Sequence, residues 1–185
     1  ILVVVAILMV FYLIALYNSC VQKRNVTKES WSNIDVLLKQ RHDELPKLVT
    51  ACKQYMQHES GTLEKVIAAR NRVHEAVSTN NVQALGLAEM LLRQSVGNLF
   101  AVAEKYPNLQ ADKLFTRMQK RITELETEIA DKRESYNDNV NLFNTKIEQF
   151  PARVFVGKLG FKVFELLSFG DEEKSDVDMD GQFSS

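Results

Sequence analysis

The chain opens on an unbroken apolar run: Ile1–Leu16 contains no charge, no Gly and no Pro. As a helix it would be about 24 Å long, against the roughly 20 residues, or about 30 Å, that a bilayer core takes. Further apolar or small residues are therefore expected before Ile1. Beyond Cys20 the pattern turns from continuous to periodic. Trp31, Leu38, Leu45 and Cys52 recur at seven-residue spacing, with Ile34, Leu48 and Tyr55 on a second line, which is the apolar stripe of a long helix. The stripe keeps its phase across Pro46, so a kink is expected there rather than a stop. "HESGT", His58–Thr62, is the expected break.

A second helix carries Leu63, Val66, Ile67, Val73 and Val77 and closes at "STNN", where Asn80 and Gln83 resemble a capping box. A third carries Leu85, Leu92, Leu99 and Tyr106 and ends at Tyr106-Pro107. The fourth, with Asp112 as its cap, places Phe115, Ile122, Ile129, Tyr136, Phe143 and Phe150 seven apart, adds Met118, Leu125 and Ile147, and closes at Pro151. The pattern predicts an all-α protein: an N-terminal transmembrane helix followed by an antiparallel up-and-down four-helix bundle with long helices. A competing arrangement fuses the first two helices into one rod through Gly61, since the heptad phase survives there and Gly costs only about 1 kcal/mol in a helix. The expected organisation is an anchor over 1–18, a bundle over 19–151, an apolar segment over 152–170 and an acidic, disordered tail over 171–185.

The stretch "IALYNSCVQKRN", Ile14–Asn25, decides what the apolar run is. A cleaved signal peptide needs small residues before the cut, where Leu16, Tyr17 and Asn18 stand. A lipoprotein site before Cys20 fails for Asn18 and Tyr17. A retained anchor fits, with Tyr12 and Tyr17 as interface residues. Lys23, Arg24 and Lys28 place the following domain in the cytoplasm by the positive-inside rule, with a periplasmic or extracellular bundle as the alternative. Asn25-Val26-Thr27 matches the N-glycosylation pattern but lies too near the membrane.

Charge changes the picture only at the end of the chain. The formal net charge is −1, yet from Asp171 onward six acids meet one Lys, a net of −5, leaving +4 for the rest. That balance gives no case for nucleic acid. Cys20 and Cys52 read as small apolar residues rather than a disulfide framework.

Longer stretches carry a resemblance. "YNSCVQKRNVTKESWSNIDVLLKQRHDELPKLV", "YMQHESGTLEKVIAAR", "AVAEKYPNLQADKLF" and "YNDNVNLFNTKIEQFP" resemble the LemA family over Tyr17 to about Phe164. The resemblance implies a bacterial membrane protein with a single N-terminal span and an antiparallel four-helix bundle, and it implies no agreed activity. Cys20, where an apolar residue is usual, and the acidic tail depart from the family pattern. The matching positions are Tyr17, Asn18, Arg24, Asn25, Trp31, Ile34, Asp35, Arg41, His42, Pro46, Arg70, Tyr106, Pro107, Arg133, Tyr136, Asn137, Asn144 and Pro151. Among them Asp35, Arg41 and His42 on the first helix, with Arg133, Asn137 and Asn144 on the last, suggest a polar groove between those two helices. The reading preferred over a groove is a hydrogen-bonded layer that fixes register, as one buried polar residue can.

The catalytic patterns searched for are incomplete. His58-Glu59 and His74-Glu75 each lack the second His of a zinc helix, since Thr62 and Ser78 stand there. His42, His58 and His74 cannot converge from one straight helix, and the Glu-x-x-His pairs of a di-metal bundle are missing. "DVDMDG", Asp176–Gly181, matches the start of a calcium loop but lacks its closing Glu. Gly157-Lys-Leu-Gly160 lacks the rest of a phosphate loop, and no Ser or Cys stands in a nucleophile motif. The expectation is a protein that is not an enzyme and takes no cofactor or metal. It would be a scaffold or adaptor of the bacterial inner membrane, with the bilayer, other copies of itself and another membrane protein as partners. The alternative role is a regulatory partner of an envelope protease or signalling protein.

The segment after Pro151 is too apolar for a free tail and too short to span comfortably. Phe155, Leu159, Phe161 and Phe164 are expected to be buried in the bilayer surface or a neighbouring subunit, with Lys158 and Lys162 reaching the headgroups. The simpler alternative is that the segment caps the bundle end.

Overall fold

The computed structural model describes the backbone of residues 1–156 and 160–168, and the side chains of all of these except 155 and 156. Among the described residues the only regular structure is helical: α1 (Leu2–Lys53), α2 (Ser60–Ser78), α3 (Val82–Ala103), α4 (Pro107–Gln110), α5 (Lys113–Glu148) and α6 (Ala152–Val156). α1 is unbroken over 52 residues and contains Pro46. It ends before "HESGT", and a separate α2 follows, so the single rod through Gly61 is excluded. The calcium-like Asp176–Gly181 stretch lies outside the described residues.

The chain groups into two compact units. The first combines Ile1–Gln40 with Glu124–Leu166. Here α1 and α5 run antiparallel. Cys20 packs with Phe143 and Ile147, Thr27 and Ser30 meet Asn139, and the Trp31 ring lies 5.4 Å from that of Tyr136. Ile34, Leu38, Leu125, Ile129 and Val140 are buried in line with the heptads. Trp31, expected to be buried, is half-buried: it sits at the edge of the stripe, with its ring tilted onto Tyr136. Phe150, the last member of the α5 series, falls past the helix end and is 85% exposed.

Gly160 takes a φ of +71°, in the region that side chains disfavour. The strand-like segment that follows runs back along α5. Asn144 clamps it by accepting from the Phe164 N–H at 3.0 Å and donating to the Phe164 carbonyl at 2.9 Å. The Tyr136 hydroxyl donates to the Glu165 carbonyl at 3.0 Å.

The second unit combines Arg41–Thr123 with the chain from Leu167. Leu45, Leu48, Cys52, Leu63, Val66, Val73, Leu85, Leu92, Leu99, Phe115, Met118 and Ile122 fill its core. The α2–α3 turn is capped one residue later than the capping-box reading: Asn81, not Asn80, accepts from the Ala84 N–H at 2.9 Å, while Asn80 takes φ 51°. Asp112 caps α5 as expected, accepting from Leu114 at 2.8 Å and Phe115 at 2.9 Å. These bonds hold its carboxyl below the usual range, the Phe115 N–H first among them.

Gly86 of α3 has no room for a side chain, because a Cβ there would meet the Ser168 carbonyl oxygen at 2.1 Å. In an open helix Gly→Ala stabilises by about 0.5–1 kcal/mol. Gly86→Ala should instead destabilise by about 1–3 kcal/mol through overpacking. Denaturant melts of the full chain in detergent, with amide exchange at Leu167 and Ser168, read the sign; a stabilised variant would remove the Ser168 contact.

Candidate functional site

Of the polar positions singled out in the sequence, Arg41 and His42 fall in the second unit, and Asp35, Arg133, Asn137 and Asn144 in the first. Asp35, Arg133 and Asn137 are half-buried, and Asn144 serves the returning C-terminal segment.

Arg41 occupies a place where the heptad calls for an apolar side chain, and it is 3% exposed. Its guanidinium pairs with Glu89 of α3, equally buried. Glu89 was not foreseen; the signal for it is an acid within the apolar run "LGLAEMLL". Removing one partner of such a pair strands a buried charge, at about 3–5 kcal/mol, whereas replacing both is often close to neutral.

One helical turn of α1 explains three family positions together. Pro46 has no N–H, so the His42 carbonyl four residues earlier loses its helical partner. The Arg70 Nε of α2 supplies the donor, at 2.8 Å. The His42 ring stacks on His74 with centroids 4.7 Å apart, and its Nδ1 has no hydrogen-bond partner. Burial, then Arg70 and His74, push the His42 pKa below its ordinary 6.5, with Asp43 opposing. His42 and His74 thus converge from two helices. Among the described residues, no group of three or more His, Cys, Asp and Glu could hold a metal ion.

The second unit also has an open hollow of about 700 Å³, with Val49, Met56, Leu63 and Ile67 in its apolar wall and Lys53 and Glu64 among its polar residues. Cys52 is fully buried, its thiol pushed up to about 12 by burial, so it is an apolar filler and not a nucleophile.

In the first unit, the Thr27 hydroxyl is wholly buried and lies 3.0 Å from the Lys23 carbonyl and 3.2 Å from that of Asn139. Asn139 donates in turn to Ser30 Oγ at 2.8 Å. This triad was also missed; its members look like surface residues one at a time. Of the expected membrane-contact residues, Lys158 and Leu159 lie outside the described residues, as does the Phe155 side chain. Phe161 is a correction: it turns inward, 7% exposed, against Cys20, Phe143, Ile147 and Ala152. Its ring also lies under the Arg24 guanidinium, 5.2 Å away, and edge-on to Tyr17. Phe164 is half-buried, and Lys162 is exposed.

Two outcomes follow. Arg41→Met and Glu89→Leu should each cost about 3–5 kcal/mol, and the double variant should recover most of the loss; additive costs in a denaturant double-mutant cycle would contradict the pairing. Because the folded pKa of His42 lies below its unfolded value, the folded state binds fewer protons. Stability is then full above pH 6.5 and falls as pH drops from there through the folded pKa. Asp112 acts in the same direction only in a more acid window, below 3.8. His42→Gln should flatten a melting-temperature series from pH 6.5 down through the folded pKa of His42, and an unchanged slope there would contradict it.

A model of the LemA family matches residues 30–180. The chain is 26% identical over 165 residues to "Protein LemA" of Metamycoplasma hominis, covering 87% of this chain and 73% of that protein. It is 34% identical over 68 residues to magnetosome protein MamQ 2 of Paramagnetospirillum magneticum, 37% of this chain and 25% of that one. It is 31% identical over 71 residues to magnetosome protein MamQ of Magnetospirillum gryphiswaldense, 38% and 26% respectively. The chain thus spans about a quarter of the magnetosome proteins it matches. With its helical architecture and with more than half its length matched, this chain belongs to the LemA family.

Proposed function

We propose that this chain is a single-span protein of the bacterial inner membrane whose helices form an antiparallel four-helix bundle on the cytoplasmic side. In this reading it acts as a non-enzymatic scaffold that self-associates. The observation that carries the membrane part is α1. Its apolar window has a mean hydropathy of 2.4 and none of it is buried, while the same helix continues into a buried stripe from Cys20 onward. An apolar helix left in water over this length would be a contiguous patch far beyond what soluble proteins expose.

Self-association is supported by the outward face of α3. Gln83, Leu87, Met90, Gln94, Gly97 and Ala101 are all exposed along one line, and none of them is charged. Leu87 is 59% and Met90 41% exposed. Two copies anchored in one membrane point the same way, so identical residues meet along this line without like-charge repulsion, at the spacing of a coiled-coil seam.

The test is mass photometry of the full chain extracted in native lipid particles. Dimers or larger particles are expected, and Leu87→Glu with Met90→Glu should shift them to monomers with helicity intact. Monomers throughout would overturn the scaffold, and a foreign protein in fixed ratio would favour the regulatory-partner role instead.

A further inference from the structure

The run of exposed apolar residues that opens α1 ends at Tyr17, 44% exposed, and three residues later Cys20 is 2% exposed. What covers Cys20 comes from the other end of the chain: Phe143, Ile147, Ala152 and Phe161, with Leu16 and Val21 packed alongside. The last turn of α5 therefore lies level with Leu16–Val21, where the apolar surface stops. Since α5 runs antiparallel to α1, the residues after Ile147 are carried further towards the anchor.

Two of those residues are large, apolar and turned out of the chain: Phe150, 85% exposed, and Val154 of α6, 58% exposed. Their neighbour Arg153 is exposed, and Lys146 directly precedes Ile147, which packs with Cys20. Apolar side chains beside flexible cations, at the end of an apolar span, are the composition of a surface that rests in the headgroup layer.

We propose that Phe150 and Val154 form a lipid-contacting lip beside the span, seated in the interfacial layer of the bilayer that α1 enters. The lip rests on the reading of α1 as a membrane helix, and it uses residues other than Phe161, which is committed to the interior. Lipid rather than a second copy is the occupant because the two residues flank Ala152, which packs with Leu16 and Cys20 where the exposed apolar run of α1 stops. A lip of this kind fixes the tilt and rotation of the domain above the membrane, which a single helix by itself leaves free.

The experiment uses the full chain in nanodiscs of phosphatidylcholine and phosphatidylglycerol. Trp31 is the only tryptophan, so Trp31→Phe clears the background for Phe150→Trp, with Val154→Trp as a second position and Val10→Trp as the control within the span. Circular dichroism checks that each variant is folded. With lipid brominated near the headgroup end of its acyl chains, Phe150→Trp should lose about half its fluorescence, as a ring seated in the boundary region would. Native Trp31 should lose none. Should Val10→Trp be quenched and neither lip position be, the lip is overturned while the anchor stands. Should the lip positions become shielded from aqueous acrylamide only as protein density rises, a second copy covers them and the lip is overturned too. An unquenched Val10→Trp removes the anchor itself.

Discussion

Lipid offers no hydrogen-bond partner to a peptide group, and this one constraint governs the chain from its first residue. A segment that enters the bilayer alone must satisfy its backbone internally, which leaves the helix as the form of Ile1–Leu16. The helix then has no cause to stop at the membrane surface, because no Gly or Pro stands between Ile1 and Pro46. What changes at Cys20 is the solvent of its side chains. Over the next turns the protein replaces lipid: Phe143, Ile147 and Phe161 close over Cys20, and Thr27, Ser30 and Asn139 bind α1 to α5 through hydroxyl, amide and carbonyl groups.

The same concern with backbone partners reappears in both units and accounts for much of the polar family pattern. Pro46 frees the His42 carbonyl, and Arg70 fills the vacancy. Among the described residues the segment from Phe161 has no neighbouring strand, and Asn144 presents its amide to both backbone groups of Phe164, as a strand would. Tyr136 supplies the donor for the Glu165 carbonyl. Buried carbonyls left alone cost about 1–3 kcal/mol each, so side chains that answer them are under strong constraint without touching any ligand.

The helices and their cores were legible because the heptad is a local signal. Leu38, Leu45 and Cys52 on α1, and Phe115, Ile122, Ile129 and Phe143 on α5, are buried as the spacing requires. The spacing carries less about ends: Phe150 keeps the sevenfold phase but lies past Glu148, where the helix no longer turns it inward. Partnerships across the fold were not legible. Arg41 stands out in its stripe, yet Glu89 is 48 residues away on another helix, and heptad counting cannot pair them. Apolar content alone could not tell the inward Phe161 from the outward Val154; Phe161 is held against Phe143 and Ile147 by a segment that Asn144 clamps at Phe164.

These assignments bear on what kind of function the domain can support. A catalytic site needs donors and acceptors left unspent and aimed at one point. Here Arg70, Tyr136, Asn144 and the Thr27–Ser30–Asn139 triad are spent on holding chain segments together, and Arg41 and Glu89 are spent on one another. The α3 line through Leu87 and Met90, together with Phe150 and Val154, is exposed apolar surface, and surfaces of that kind work by being covered, which is what the proposed scaffold requires.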